Sequence, residues 1–534
     1  MTPVALNDPI DVPWWRDAVV YQVYVRSFAD ANGDGMGDLK GITKRLPYLA
    51  DLGVDALWIT PFYPSPQHDA GYDVSDYVDV DPRFGDLADA DALLRKAHAL
   101  GLKVIVDLVP NHTSDEHEWF QKALASEPGS PERERYLFRT GKGRGGQQPP
   151  NNWGSVFGGI AWERIEDGPA GSTQWYLHLF DKTQPDLNWR NPEVRQMFVD
   201  VLRFWLDRGV DGFRVDVAHG LFKHESLRDE KSDHPSSRHV ESLLETDTKD
   251  EPMWDQPEVH DVYRDWHQVL AEYDGDRMAV AEAWTQTPER TAAYVRPDEL
   301  QQAFNFAWLL ATWDAADMAD CIRRTFATLD PVGANPTWVL SNHDVVRHAT
   351  RYGGGRVGVA RARAATLAML ALPGSSYLYQ GEELGLESVD VPEELRQDPA
   401  WFRTGEFWRD HCRVPMPWSG TRAPFGFGGR TQPWLPMPAG WKDLTVEAQT
   451  GKRGSTLELY RKALKVRRTF AATAPRDVEI LDRAKTVLAF ERGPITVVLN
   501  AGKRPVSLPR GKVLLNSGRL VDGKLPPDTA VWIR

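Results

Sequence analysis

The sequence predicts an α/β protein built as a (β/α)8 barrel, with a loop-rich insert after the third strand and a small C-terminal antiparallel β domain. Eight short runs rich in β-branched and aromatic residues alternate with stretches whose apolar residues recur at helical spacing. The alternation stops after residue 110 and resumes near residue 181. The last 65 or so residues change to short β runs separated by Gly and Pro turns.

The barrel elements follow from these patterns in chain order. The predicted strands are residues 18–25, 55–60, 102–109, 210–217, 278–284, 302–308, 336–342 and 375–381. Three segments have the apolar spacing of helices: DALLRKAHALG before the third strand, NPEVRQMFVDVLRFWLDRG before the fourth, and STLELYRKALKVRR after the eighth. Strands that alternate with helices form a parallel sheet, and eight of them favour a closed barrel.

These elements divide the chain into three parts. We predict a catalytic barrel over residues 1–110 and 181–469, an inserted domain over 111–180 and a β-sandwich-like domain over 470–534. An open, doubly wound sheet is the alternative fold, but the Gly-rich dinucleotide turn after its first strand is absent. GKGRGG (141–146) follows no predicted strand, so we interpret it as a loop tip.

Composition excludes several classes of protein. The net charge of −13 argues against a nucleic-acid partner, which requires a basic face. No apolar run is long enough to span a membrane, and the N-terminus has neither the basic start nor the apolar segment of a signal peptide. The two cysteines, Cys321 and Cys412, are far apart in the sequence and form no CxxC motif, so we expect no disulfide framework. We therefore predict a cytoplasmic protein.

Polar residues at the C-terminal ends of barrel strands are the candidate functional residues, because this face carries the active site in (β/α)8 barrels. The strand ends supply Asp107, Arg214, Asp216, Glu282, His343 and Asp344. No His pair has the HExxH spacing of a zinc hydrolase, and no GxSxG turn accompanies a suitable His. The carboxyl groups therefore favour acid–base chemistry on a neutral substrate.

Several motifs in a fixed order give the chain a resemblance to the α-amylase family of glycoside hydrolases, and within it to the α-glucosidase and oligo-1,6-glucosidase branch. The motifs are DLVPNHTS (107–114), QPDLN (184–188), GFRVDVAHG (212–220), AEAW (281–284) and SNHD (341–344). The resemblance implies Asp216 as nucleophile, Glu282 as general acid and base, and Asp344 as the residue that orients the substrate in the transition state.

Physical chemistry supports two of these roles. Glycosidic cleavage needs one ionised and one protonated carboxyl group on opposite sides of the bond. Arg214 and Asp216 are two residues apart on one strand and share a face, so the guanidinium favours the ionised form of Asp216. Glu282, on the next strand, is exposed to the negative charges of Asp216 and Asp344, which favour its protonated form.

The same resemblance implies the substrate-binding residues. His112 and His343 resemble histidines that hydrogen-bond the innermost sugar, and Tyr72 resembles the tyrosine that stacks on it. Asp69 and Arg409, in HDAGYDVSDY and FWRDHCRVPMPW, are similar to a pair that closes the non-reducing end of the pocket in exo-acting members. The alternative for Arg409 is a surface salt bridge.

Three further residues carry less specific expectations. Asp107 and Asn111 are expected to position their loop rather than to touch the substrate. The resemblance implies that Val217, directly after the predicted nucleophile, favours α-1,6 linkages, because valine is typical there of α-1,6-acting members of this branch, whereas the following AHG departs from the oligo-1,6-glucosidase pattern. The linkage therefore stays open.

DANGDGMGD (30–38) is the candidate metal site. It resembles the first part of an EF-hand loop, and the family carries a structural Ca²⁺, sometimes Mg²⁺, at this motif. The expected ligands are Asp30, Asn32, Asp34, the Met36 carbonyl and Asp38. The alternative is an Asp/Gly turn without a metal.

Taken with the resemblance, the sequence predicts a retaining, exo-acting α-glucosidase that acts on a small α-glucoside. The first alternative is the same machinery used for transfer, in a transglucosylase or a disaccharide isomerase, because both share the glucosyl–Asp216 intermediate. The second alternative is a non-catalytic relative that associates with a transporter, but such proteins lose the catalytic carboxylates and carry a membrane anchor. We predict no membrane partner, and the sequence carries no signal for an oligomeric state.

Overall fold

The structure is a computed structural model that describes residues 12–165, 173–231, 251–405, 409–471 and 473–534. Part of the predicted insert, residues 166–172, and the first two residues of FWRDHCRVPMPW lie outside the described residues. The three predicted domain boundaries stay predictions.

The strands, in chain order, are β1 (Val19–Val23), β2 (Ala56–Ile59), β3 (Lys103–Leu108), β4 (Phe138–Thr140), β5 (Trp162–Arg164), β6 (Gln174–Leu177), β7 (Gly212–Val215), β8 (Met278–Ala281), β9 (Gln302–Ala303), β10 (Thr337–Val339), β11 (Ser375–Tyr379), β12 (Glu479–Ile480), β13 (Val487–Arg492), β14 (Ile495–Asn500), β15 (Val506–Ser507), β16 (Val513–Asn516), β17 (Lys524–Leu525) and β18 (Thr529–Ile533).

The α-helices, in chain order, are α1 (Val25–Phe28), α2 (Leu39–Leu52), α3 (Leu87–Ala99), α4 (Glu118–Ala125), α5 (Pro192–Asp207), α6 (Val259–Ala271), α7 (Pro288–Ala293), α8 (Phe306–Leu309), α9 (Ala315–Leu329), α10 (His348–Arg351), α11 (Gly355–Ala371), α12 (Pro399–Thr404), α13 (Val446–Gln449) and α14 (Thr456–Arg468). Within the described ranges, none of them combines the length and the apolar character needed to cross a bilayer.

Eight parallel strands form the barrel, in the order β10-β11-β1-β2-β3-β7-β8-β9. Each falls in one of the predicted strand ranges, which confirms the predicted fold class. The sheet is nearly closed, because the backbone N–H of Asn305, two residues after β9, donates to the Thr337 carbonyl of β10 at 2.9 Å.

The sixth barrel strand is shorter than the sequence predicts. The prediction placed a strand over 302–308, whereas β9 ends at Ala303 and helix α8 begins at Phe306. The side chain of Asn305 accepts a hydrogen bond from the backbone N–H of Trp308 and so caps this helix. An N-cap in an apolar run therefore outweighs the β propensity of the segment.

The longer helices begin where the sequence provides caps. Asn191 accepts from the Glu193 backbone at the start of α5, where Pro192 occupies the first helical position. Ser455 accepts from the Glu458 backbone at the start of α14 in the same way. These caps fix the helices that cover the outside of the barrel.

Two antiparallel regions flank the barrel. Strands β4, β6 and β5 form a three-stranded sheet in the insert, and β12-β13-β14-β18-β16 form the C-terminal sheet. Trp532 anchors the C-terminal sheet, since its Nε1 donates to the Leu367 carbonyl of α11 at 2.9 Å. Cys321 and Cys412 are both free thiols.

Candidate active site

A pocket of about 590 Å³ opens at the C-terminal ends of the barrel strands. Seven of the predicted site residues line it: Asp69, Tyr72, His112, Asp216, Glu282, Asp344 and Arg409. The other two predicted residues, Arg214 and His343, are 1% exposed and contact the lining residues from behind. The structure therefore brings all nine predicted catalytic and substrate-binding residues together.

Arg214 lies among three buried carboxyl groups, two of which belong to the predicted catalytic residues Asp216 and Glu282. Its strand β7 pairs with β3, where Asp107 is the register partner of Arg214, and with β8, which ends one residue before Glu282. Nη1 of Arg214 contacts Asp216 and also Oδ1 of Asp107, the latter at 3.0 Å. Nη2 of Arg214 contacts Oε2 of Glu282 at 2.9 Å. One buried guanidinium thus contacts three carboxyl groups.

We predicted that Arg214 favours the ionised form of Asp216, and the structure adds Asp107 and Glu282 to the same guanidinium. Burial raises the pKa of Asp216 well above its ordinary value, although Arg214 opposes this shift. Burial also raises the pKa of Asp107 to about 6, again against the charge of Arg214. Because a single cation faces three carboxyl groups, this side of the pocket is suited to retain a proton.

Glu282 is surrounded by donors that sequence analysis missed. Besides Arg214, the backbone N–H of Val217 donates to Oε2 at 3.1 Å, and Nε1 of Trp284 donates to Oε1 at 3.1 Å. Val217 has a φ of +46°, a left-handed conformation that is costly for a β-branched residue. This turn directs its N–H towards Glu282.

Asp344 occupies the opposite side of the pocket. Nη2 of Arg413 contacts its Oδ1 at 2.8 Å and Nη1 of Arg409 at 3.3 Å, while Nε2 of His343 lies 3.3 Å from Oδ2. Burial by itself raises the pKa of Asp344, but the nearby cationic groups outweigh burial and bring the pKa below its ordinary value. Asp344 is therefore held as a carboxylate.

Tyr72 and His343 form the floor of the pocket. Their rings stack at 5.3 Å with an angle of 9°, and the Tyr72 hydroxyl lies 2.6 Å from Nε2 of His343. Nε2 of Gln22 lies 2.7 Å from Nδ1 of His343, and the amide can donate there when that ring nitrogen is unprotonated. Burial lowers the pKa of His343 well below its ordinary value, so the imidazole is neutral.

His112 lies at the wall formed by the insert. Its Nε2 is 3.2 Å from the Tyr72 carbonyl and 3.1 Å from Nε2 of Gln184, a residue of the QPDLN motif. Burial lowers the pKa of His112 to about 4, so this ring is also neutral. A neutral imidazole can both donate to and accept from sugar hydroxyl groups.

Asp69 and Arg409 form the predicted ion pair at one end of the pocket, with Nη2 of Arg409 2.6 Å from Oδ1 of Asp69. Arg409 is only 6% exposed, so it is not part of a surface salt bridge. Its guanidinium also lies over the ring of Phe157 at 4.9 Å. The pair and the phenyl ring close this end of the pocket.

Comparison with known proteins identifies the family. The family model of the α-amylase catalytic domain matches residues 22–474 of the 534 residues.

The chain belongs to the α-amylase family of glycoside hydrolases.

Three known members illustrate how similar the chain is to this family. A probable α-glucosidase from Rhizobium meliloti (strain 1021) is 39% identical over 504 residues, which cover 92% of this chain and 89% of that protein. An oligo-1,6-glucosidase from Parageobacillus thermoglucosidasius is 37% identical over 490 residues, 85% of this chain and 84% of that one. The crystal structure of an α-glucosyl transfer enzyme, XgtA, superposes with a TM-score of 0.87 at 38% identity and covers 98% and 100% of the two chains.

In this α-amylase family member, sequence analysis missed several residues that hold the site together. Asp398 accepts from Nε of Arg409 at 2.7 Å and is fully buried with it. Arg413, in the same motif as Arg409, was overlooked although its spacing within FWRDHCRVPMPW is a usable signal. Asp398 lies in a stretch without regular periodicity, and nothing in the sequence indicates its role.

Lys223 is another missed residue, and it connects the insert to the barrel. Its buried Nζ lies 2.5 Å from Oδ2 of Asp186 and 2.8 Å from Oδ1 of Asn111. Nδ2 of Asn111 in turn lies 3.1 Å from Nδ1 of His112. The expectation that Asn111 positions its loop agrees with these contacts.

The candidate metal loop of this family member is a tight turn before α2. Both carboxylate oxygens of Asp30 accept backbone N–H groups of the loop, and Asp38 caps α2. Nδ2 of Asn32 donates to Asp34 at 2.9 Å. Among the described residues no three His, Cys, Asp or Glu side chains converge on one point, so a cation here would also need amide and carbonyl oxygens. Asn32 and Met36 are placed in the loop to provide them.

Proposed function

We propose that this enzyme is a retaining, exo-acting α-glucosidase that removes terminal α-linked glucose from disaccharides and short oligosaccharides. One observation carries the proposal. Asp216 and Glu282 are bound by the two terminal nitrogens of one guanidinium, inside a pocket that the Asp69–Arg409 pair closes. A closed pocket accepts only the end of a chain, which is the requirement for exo action.

The shared guanidinium also supports the retaining mechanism. Retaining glycosidases keep their two carboxyl groups about 5 to 5.5 Å apart, whereas inverting enzymes leave about 6.5 to 9.5 Å for a water molecule. Two carboxyl groups on one guanidinium are kept close together, because its terminal nitrogens belong to a single planar group.

The proposed reaction has two steps. The Asp216 carboxylate attacks the anomeric carbon while the bond to the leaving oxygen breaks, and Glu282 gives its proton to that oxygen. Water then attacks the glucosyl–Asp216 ester, Glu282 takes a proton from this water, and the Asp216 carboxylate is released. Asp344, with Arg413 and Arg409 behind it, would hydrogen-bond the sugar hydroxyl groups as positive charge develops on the ring.

Product analysis by NMR tests the proposal, with maltose, isomaltose, sucrose and trehalose as separate substrates. Early release of the α-anomer of glucose is the expected result, and the relative rates give the preferred linkage. Initial release of the β-anomer would reject the retaining mechanism. No turnover of any α-glucoside, with the same substrates cleaved by a known α-glucosidase, would reject the function.

Glucosyl transfer is the second candidate function. The structural similarity to a chain described as an α-glucosyl transfer enzyme favours it, and both reactions share the same covalent intermediate. Disaccharide isomers or longer oligosaccharides in the same NMR experiment would indicate that a sugar, rather than water, reaches the intermediate.

We also propose that the loop over 30–38 binds a structural Ca²⁺, with Mg²⁺ as the alternative. The donor set supports this: the carboxylates of Asp30, Asp34 and Asp38, the Asn32 amide and the Met36 carbonyl are all hard oxygen ligands. Removal of the ion with a chelator should lower Tm by several degrees, and added Ca²⁺ should restore it. In Asp34→Ala, the chelator should have little effect. A wild-type Tm that is insensitive to the chelator would reject the site.

A further inference from the structure

A second cleft, of about 1580 Å³, lies on the side of the barrel next to β9. It forms where β9 is only two residues long and the following short helix α8 replaces the rest of the predicted strand. Its lining includes Ala303 of β9, the loop after β8 and the C-terminal end of α9. The cleft is separate from the catalytic pocket, and the two share no lining residue.

The lining of this side cleft, which we define by Thr285, Gln286, Phe304, Phe306, Thr328 and Asn335, matches a neutral polyhydroxylated ligand. Five threonines, three side-chain amides, two phenylalanines and two arginines line it, and no Asp or Glu is among the described lining residues. The charges of the arginines are already engaged, because Arg324 pairs with Asp320 and Arg351 donates to the backbone carbonyls of Val346 and Leu340. Hydroxyl and amide groups both donate to and accept from sugar hydroxyl groups, and aromatic rings pack against apolar ligand faces.

Two of the amides are available for such a ligand. In the described part of the chain, the side chains of Gln286 and Asn335 make no hydrogen bond to the protein, and both are only partly exposed. The threonine hydroxyls, in contrast, already have partners. That of Thr328, for example, donates to the Arg324 carbonyl at 2.7 Å.

A pair of stacked rings separates the side cleft from the catalytic pocket. Phe306 lines the side cleft, and its ring stacks on Trp284 with centroids 3.7 Å apart and an angle of 11°. Trp284 lines the catalytic pocket, and its Nε1 donates to Oε1 of Glu282 at 3.1 Å. A ligand that packs on Phe306 therefore restrains the ring that donates to the general acid.

We propose that the side cleft is a second binding site for a neutral sugar, and that its occupation slows turnover through Phe306 and Trp284. The choice of a sugar and the link to turnover rest on the proposed α-glucosidase function. A ligand on Phe306 holds Trp284 in its donating position, and the hydrogen bond from Nε1 of Trp284 then restrains the carboxyl group of Glu282, which must reach first the leaving oxygen and later the attacking water. The effect therefore falls on kcat.

Inhibition by D-glucose tests the proposal, with hydrolysis of 4-nitrophenyl α-D-glucopyranoside as the assay. Glucose in the catalytic pocket raises only KM, because it competes with the substrate. Glucose in the side cleft should lower kcat two- to fivefold. Thr328→Trp, which fills the side cleft, should remove the effect on kcat and leave the competitive effect on KM.

Thr469→Trp is the matched control. Thr469 is exposed directly after the last residue of α14, and its hydroxyl also donates to a helix carbonyl, that of Val466, at 2.7 Å. This variant should keep the effect of glucose on kcat. If Thr328→Trp does not fold, Asn335→Ala provides the same test with a smaller side chain. A wild-type kcat that glucose does not change, or a kcat that falls equally in Thr328→Trp, would overturn the proposal.

Ligand-observed NMR with glucose separates this proposal from the proposed function. If no α-glucoside is hydrolysed, the proposed α-glucosidase function is rejected. The side cleft is still supported if the NMR signal of bound glucose is weaker for Thr328→Trp than for wild type and unchanged for Thr469→Trp. Equal glucose signals for wild type and both variants would reject the side cleft whatever the enzyme does.

Discussion

On one side of the catalytic pocket a single guanidinium, that of Arg214, contacts three carboxyl groups. On the other side Asp344 contacts two guanidinium groups, those of Arg409 and Arg413, although Arg409 also contacts Asp69 and Asp398. The side chains of Asp216, Glu282 and Asp344 are 9%, 10% and 12% exposed, so desolvation acts on both sides. Burial raises the pKa of Asp216, while the cationic groups around Asp344 outweigh burial and lower its pKa. The number of guanidinium groups that contact a carboxyl group, rather than burial alone, thus distinguishes Asp344 from Asp216.

Removal of the shared cation should break this arrangement most severely. In Arg214→Met, Asp107, Asp216 and Glu282 lose their common partner, so we expect kcat/KM to fall at least about 10³-fold. The free energy of unfolding should fall by about 3 to 5 kcal/mol near pH 7, because three carboxyl groups are left buried without a cation. Steady-state kinetics and urea unfolding measure these effects.

Arg214→Lys is the companion variant. Lysine keeps the charge but cannot hold two carboxyl groups with two nitrogens, so stability should recover further than activity. An Arg214→Met enzyme with activity near that of the wild type would contradict the role of the shared guanidinium.

On the other side, Arg413→Met should have a smaller effect. Asp344 loses its partner at 2.8 Å but keeps Arg409 and His343, so we expect kcat/KM to fall about 10- to 100-fold. If kcat/KM fell as far in Arg413→Met as in Arg214→Met, the remaining partners of Asp344 would not compensate for the lost guanidinium, and the two sides of the pocket would not differ.

Asp398→Asn should act on substrate binding rather than on chemistry. Asp398 accepts from Nε, Nη2 and the backbone N–H of Arg409, so its loss acts on the closed end of the pocket, and we expect KM to rise about tenfold while kcat changes less than about threefold. Asp528→Asn is the matched control, because Asp528 accepts from Nε of Arg361 at 2.9 Å, away from the pocket. A kcat that falls as much as KM rises would place Asp398 in the chemistry instead.

The smallest expected effect is on the pH dependence of kcat/KM. In the proposed reaction Asp216 must be ionised to act as nucleophile. Because burial raises its pKa, kcat/KM should fall on the acid side at a pH above the ordinary aspartate pKa of about 3.9. Asp344 stays ionised through this range, because its pKa is lowered. Arg413→Met should therefore leave the acid limb within about half a pH unit of the wild type. A shift of a full unit or more would assign the limb to Asp344.

Sequence analysis predicted the residues that follow regular elements. Asp216, Glu282 and Asp344 come at strand ends, and strand ends can be located from apolar runs in a parallel sheet. Asp398, Arg413 and Lys223 come from irregular segments, and only the folded chain brings them near the strand ends. The short β9 was mispredicted because the Asn305 cap is a local signal that the apolar run conceals.

Other predictions depend on groups or conditions beyond the polypeptide. The bound cation, the linkage preference and the cytoplasmic location stay predictions. The preference between α-1,4 and α-1,6 linkages also depends on the shape around Val217, whose left-handed backbone conformation no propensity rule indicates.

The buried ammonium group of Lys223 has a consequence for how the molecule opens. Asp186 comes from the segment after the predicted insert, Asn111 is the first residue of that insert, and Lys223 comes from the loop after β7. All three are buried together. Separating any one of them leaves an unpaired charge or amide inside the protein, which is costly. Backbone amides around 111, 186 and 220 should therefore exchange with solvent deuterium together, as one cooperative unit that lets the wall of the pocket and the barrel rim unfold only jointly.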